Sequence, residues 1–212
     1  MRKKLTKRDF LQILKKHNPN NLMIDTETGL EAVFTIAEVA EENGIEWILC
    51  GGMAMQIYGS PRLTKDADVI ASQIVPHLEA ERPLGFGGRR YRVRVGEKDV
   101  PVDWIVRNDD VRKLYQAALA DAVFHQDIPI IAPEWLVILK YIAGRFKDQE
   151  DAVYLLRQKG LVNRKLIRAN IKKVISEVGW GVFSAGLQHW YDIADGVIRT
   201  EREDYDPKSR IE

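Results

Sequence analysis

The chain is short of several things, and each shortage closes off a class of protein. Its 212 residues include one cysteine, Cys50, so it has no internal disulfide framework and no cysteine-rich zinc site. A lone thiol suits a reducing compartment, and a cytoplasmic protein is expected. Thirty-two Lys and Arg stand against 31 Asp and Glu, a net charge of +1, so bulk charge does not point to nucleic acid and any basic surface must be local. No apolar run approaches the ~20 residues of a membrane helix, so no membrane association is expected. The basic N-terminus is followed only by Phe10-Leu11 and Ile13-Leu14, interrupted by Gln12 and stopped by Lys15-Lys16, too short and polar for a signal-peptide core. There is no internal repeat. The four histidines, His17, His77, His125 and His189, have no metal-ligand spacing, and no Ser-His-Asp or Cys-His arrangement stands out.

What is present is a chain that is 45% hydrophobic and 30% charged, rich enough to pack a core. Residues 1–25 read as a basic helical segment, with a helix over 6–17. Its Arg2, Lys3, Lys4, Lys7, Arg8, Lys15 and Lys16 suit either a solvated terminus or a phosphate-tracking one. Residues 26–132 read as a small mixed α/β unit. Periodicity predicts a helix over 28–43, a buried strand over 45–50, a short helix over 53–58 and a strand over 66–71. A long connection over 72–88 follows, then a hairpin over 91–95 and 100–106, a helix over 109–120 and a strand over 128–131. Residues 133–198 read as helices only, over 133–145, 148–159, 163–178 and 181–198, and 199–212 as a charged tail.

The chemistry sits between Trp47 and Ile70. A strand enters Gly51-Gly52, thirteen residues follow, and Asp66-Ala67-Asp68-Val69 begins the next strand. Two acids two apart on a strand share one face and repel each other, an arrangement that a hard divalent cation such as Mg²⁺ resolves. The glycines let backbone N–H groups approach a phosphate closely. Asp103, between Val102 and Trp104, is a third acid in an apolar strand; if that strand lies beside the Asp66/Asp68 strand, the three carboxylates converge. Arg89, Arg90, Arg92 and Arg94 line the preceding strand and are read as charges protecting a sheet edge, with guidance of a polyanion as the other reading.

This pattern resembles the DNA polymerase β-type nucleotidyltransferase superfamily, and within it the bacterial minimal and abortive-infection toxin-type enzymes. The helical segment from Ala132 through Lys140, Arg145 and Asp148 to Asp151 is similar to that group as well. Two positions depart from the pattern: Ala67 is smaller than the usual residue between the acids, and Met53 stands where relatives often carry Ser or Thr. The resemblance implies an α+β fold, a small mixed sheet with flanking helices followed by a C-terminal helical unit. It implies Mg²⁺-dependent transfer of a nucleoside monophosphate from an NTP, ATP among them, to a hydroxyl, with release of pyrophosphate. Asp66, Asp68 and Asp103 would bind two Mg²⁺ ions, Asp103 also helping to activate the acceptor. Gly51 and Gly52 would cradle the triphosphate. Ser60, Arg62 and Thr64 are candidates for phosphate contact or loop ordering, and Lys140 for neutralising phosphate charge or for a structural place, with Arg145 and Asp148 secondary. The implied acceptor is tRNA or a protein, with an antitoxin as a possible partner. A small-molecule antibiotic acceptor and an inactive binding module are the alternatives.

Overall fold

The computed structural model of the chain describes residues 23–198. The expected helix over 6–17, its basic cluster and the 199–212 tail lie outside the described residues. The elements in chain order are α1 (Thr26–Glu42), β1 (Trp47–Cys50), α2 (Gly51–Ile57), β2 (Ala67–Ala71), β3 (Arg82–Pro83), β4 (Gly88–Val95) and β5 (Lys98–Ile105). They continue with α3 (Arg112–Ala120), β6 (Val123–His125), β7 (Ile128–Ile130), α4 (Pro133–Ala143), α5 (Phe146–Arg157) and α6 (Arg164–Ala194).

Local chemistry explains most boundaries. Asp25 caps α1 by accepting the Thr28 backbone N–H, and Asn163 caps α6 by accepting from Lys165 and Leu166. Pro133 opens α4 in the first turn, and Gly144 closes it in a left-handed conformation. The seven strands form one mixed sheet in the order β3-β4-β5-β2-β1-β7-β6. β2 pairs parallel with β5, β1 parallel with β7, and the other pairs are antiparallel. Alternation sorts each strand. Val69, Val102 and Trp104 are fully buried on the face opposite Asp68 and Asp103, and α1 packs across β2, β4 and β5. α4 is the most apolar of the later helices and is buried along Glu134–Lys140, so one hydrophobic cluster runs from the sheet through Trp135 and Ile138 to Ile171 and Leu187. No described helix is long and apolar enough to cross a membrane.

Four details differ from the expectations. The stretch 72–88 is not only a connection, because Arg82–Pro83 forms a short strand against β4. β6 was not expected; its three residues are too short to show a period. The two helices expected over 163–178 and 181–198 are present within Arg164–Ala194, but they meet at a kink at Ser176, φ 81° and ψ 176°, earlier than expected. The turn between β4 and β5 is two residues, Gly96 and Glu97, rather than four, so β5 begins at Lys98.

Candidate active site

The site is built on a row that crosses four strands. Cys50 of β1 pairs with Asp68 of β2, Asp68 with Asp103 of β5, and Asp103 with Arg90 of β4. Asp66 lies just before β2, two residues from Asp68. The parallel β2–β5 pairing therefore does what the sequence could state only as a condition, bringing all three carboxylates to one place. They line a cleft of about 490 Å³ that also receives side chains from α4 and from the start of α5.

The glycines serve the acids directly. Gly51 has φ +60°, and a Cβ there would come within 1.9 Å of Asp68 Oδ2. A Cβ on Gly52 would meet Thr64 Oγ1 at 2.6 Å, and the Gly52 N–H donates to Asp68. Both positions thus exclude side chains because the Asp66/Asp68 loop packs against them. Burial pushes the Asp68 carboxyl up to about 6, with the charges of Asp66 and Asp103 adding to the effect and Lys140 opposing it. Cys50 is buried, and burial together with Asp68 raises its thiol, so it stays protonated.

Thr64 Oγ1 donates to the Asp66 carbonyl oxygen at 2.9 Å and lies 3.3 Å from Asp66 Oδ1. Its own carbonyl accepts from Ile24, so it orders the loop that presents Asp66. Ser60 is buried, accepts from the Arg62 backbone at 3.3 Å and does not line the cleft. Arg62 does line it and is gripped by Asp151, with Nη2–Oδ2 at 3.0 Å and Nε–Oδ1 at 2.9 Å.

Lys140 is buried rather than extended to solvent. Its Nζ donates to Asp148 at 2.9 Å and to Asp151 at 2.6 Å. Arg145, mostly exposed, adds a 2.5 Å bond to Asp148. Burial works against ionising Asp148, but the hydrogen bonds from Arg145 and Lys140 prevail and hold its carboxyl below the usual range. Three cations and two acids form this network, and Lys147 also reaches the cleft from α5. Lys140, with two of its three donors used, keeps one for another acceptor.

Two groups escaped the sequence reading. Arg90 was grouped with its neighbours as edge protection, and for Arg92 and Arg94 the structure agrees: they pair with Glu81 and Asp99 at 2.7 and 3.0 Å. Arg90 instead enters the site. Its Nε and Nη2 bind Asp103 at 2.5 and 2.7 Å, and Nη2 reaches Asp66 at 3.0 Å. A signal for it existed. The two-residue turn at Gly96-Glu97, with Gly96 at the positive φ of 56° that a primed hairpin turn needs, fixes the register, and counting back from it pairs Arg90 with Asp103. The second group is Arg107, whose guanidinium lies 4.8 Å from the Phe86 ring centroid and 4.9 Å from that of Tyr115, all three on the cleft. No sequence spacing links these residues.

The donor set suits a hard divalent cation: three carboxylates converge, and Asp68 is destabilised as an anion first by burial and then by the charges of the other two. As they stand, with Arg90 across two of them, no three acid, His or Cys side chains among the described residues are arranged to hold a metal ion.

No family model and no curated protein sequence matches the chain. Among solved structures, it is similar to an antigenic nucleotidyltransferase-like protein from Paracoccidioides brasiliensis. That likeness has a TM-score of 0.50 and 15% identity, over 82% of this chain and 93% of the other. Looser likenesses are to JHP933 from Helicobacter pylori (TM-score 0.43, 11% identity, 74% of this chain and 79% of the other) and to the antibiotic-resistance factor ANT(2'')-Ia (TM-score 0.39, 12% identity, 78% and 97%). The first of these establishes the fold as nucleotidyltransferase-like.

Proposed function

We propose that the chain is a nucleotidyltransferase that moves a nucleoside monophosphate from an NTP to a hydroxyl acceptor. The observation that carries this reading is the opposition of two walls in one cleft. Asp66, Asp68 and Asp103 stand on the strand side, and Arg62, Lys140, Arg145 and Lys147 on the loop and helix side. Few reactions use both, and transfer from a triphosphate needs both: acids to hold a cation and receive a proton, cations to balance phosphate charge.

In this reading Asp66, Asp68 and Asp103 hold Mg²⁺, two ions when fully loaded. The metal supplies Lewis-acid polarisation of the phosphate and lowers the cost of ionising the acceptor hydroxyl. Asp103 takes the hydroxyl proton as the acceptor oxygen bonds to the α-phosphorus. The α–β phosphoanhydride bond breaks, and pyrophosphate leaves with the electron pair. Arg62, Lys140 and Arg145 orient the triphosphate and neutralise the leaving group. Gly51, Gly52 and Thr64 fix the acids. The resemblance favours tRNA or a protein hydroxyl as acceptor, with an antitoxin as the matching partner, over a small antibiotic.

The test is calorimetric titration of the full chain with each of four NTPs, with and without Mg²⁺, beside the Asp66→Asn/Asp68→Asn double variant. Binding that needs Mg²⁺ and disappears in the double variant is expected. Transfer of labelled nucleotide onto tRNA, lysate proteins and aminoglycosides then names the acceptor. Absence of NTP binding with or without metal overturns the reading in favour of an inactive binding module.

A further inference from the structure

We infer that Arg90 is an internal competitor for the divalent cation: its guanidinium occupies the carboxylates that the cation needs and thereby sets the site's metal affinity. This rests on reading Asp66, Asp68 and Asp103 as a cation site.

Three observations lead there. The first is the set of oxygens involved. Arg90 binds both carboxylate oxygens of Asp103, at 2.5 and 2.7 Å, and Asp66 Oδ2 at 3.0 Å. Only Asp68 is left outside its grip, so a cation drawing on all three acids must displace the guanidinium from two. The second is the contrast with the same strand face. Arg92 and Arg94 pair outward with Glu81 and Asp99, away from the cleft. Arg90 alone of the three meets two of the site acids. The third is accessibility. The Arg90 side chain is 19% exposed and lines the cleft, so it can leave its partners without opening the core.

The physical consequence is a trade. A guanidinium is always charged and meets a carboxylate with two parallel donors, so it balances part of the charge that three neighbouring acids would otherwise leave uncompensated. A divalent cation entering without nucleotide must break those bonds and leave Arg90 without an anion. A triphosphate entering the same cleft offers Arg90 a replacement partner. Metal and nucleotide then assist each other's binding, because each removes a cost from the other.

The test uses Mn²⁺ as the probe and the electron paramagnetic resonance signal of free Mn²⁺ as the readout, without nucleotide. The full chain is compared with Arg90→Gln, with Arg90→Lys, and with each combined with Asp66→Asn/Asp68→Asn. Arg90→Gln is expected to bind Mn²⁺ about tenfold more tightly than the unaltered chain, on the scale of lost charge-assisted hydrogen bonds. Arg90→Lys, which keeps the charge and stem but loses the two-pronged grip, is expected to fall between them, and it carries the test should Arg90→Gln not fold. The gain must vanish with the two aspartates. Equal Mn²⁺ affinity across the Arg90 series, lost in the Asp variants, overturns the competition and leaves the metal site standing. Weaker binding in Arg90→Gln, or a gain that survives loss of the aspartates, also overturns it. No Mn²⁺ binding by any form overturns both the competition and the cation site.

Discussion

The two walls of the cleft use the same chemical groups to opposite ends. On the helix side Asp148 and Asp151 meet Lys140, Arg62 and Arg145, so cations outnumber acids and each carboxylate has at least two cationic partners. On the strand side Asp66 and Asp103 share the single guanidinium of Arg90, and Asp68 lies outside its reach. Asp148 is held below the usual carboxylate range while Asp68 is pushed up to about 6. A carboxylate surrounded by cations is part of the scaffold. A carboxylate surrounded by carboxylates is waiting for a cation. The difference lies in partner count and not in residue type.

Breaking each wall should therefore move stability in opposite directions. The largest effect is expected for Lys140→Ala, which leaves buried Asp148 and Asp151 short of a partner. It should cost about 3 kcal/mol in urea unfolding, the low end for a broken buried pair, because Arg145 and Arg62 still hold the two acids. A cost below ~1 kcal/mol would mean that the network is not structural.

Asp68→Asn should do the reverse. Its folded-state value of about 6 lies above the ordinary carboxyl value of 3.8, so the fold favours the protonated acid. The resulting penalty is absent below about pH 4, grows as pH rises and is complete above about pH 6. Metal-free Asp68→Asn should thus be more stable than the parent at pH 7.5, by about 2 kcal/mol once cleft water is allowed for, and equal to it near pH 4. Thermal melts across that window check the sign; a destabilised variant at pH 7.5 would contradict it.

The smallest effect is expected for Arg145→Ala. Its side chain is 62% exposed, so stability should change by less than ~1 kcal/mol. On the proposed function, NTP affinity should still fall about fivefold by calorimetry, which would separate the wall's surplus charge from its structural core.

Much of this was open to a reader of the sequence because it is local. Strand, paired glycines, short helix and Asp-x-Asp lie within some twenty-five residues, and each step has a local cause. Asp103 was legible as an acid in an apolar strand, although its place depended on a pairing that sequence separation hides. Lys140, Arg145, Asp148 and Asp151 were legible as one segment, but its link to Arg62 was not, because Arg62 and Asp151 are 89 positions apart and nothing in either segment names the other. Arg90 was lost to a turn read two residues too long. In a strand of alternating arginines, only the register tells the one in the site from those on the rim. The break near residue 180 was sensed from periodicity but mislocated, because the backbone departs at Ser176 while the helix resumes at once.

The parallel pairing of β2 with β5 also has a meaning in time. Asp68 and Asp103 are partners across the whole β3–β4 excursion, and no shorter piece of the chain contains both in register. The β4–β5 hairpin can close early around its two-residue turn, bringing Arg90 to Asp103 while β2 is still apart. Asp68 joins only when that preformed ribbon docks alongside β2, after the loop-closure entropy of the intervening segment has been overcome. Asp66 and Asp68, two residues apart, repel whatever the rest of the chain does, whereas their repulsion with Asp103 arises only where β2 and β5 pair, and the hairpin that carries Asp103 also carries Arg90 to offset it.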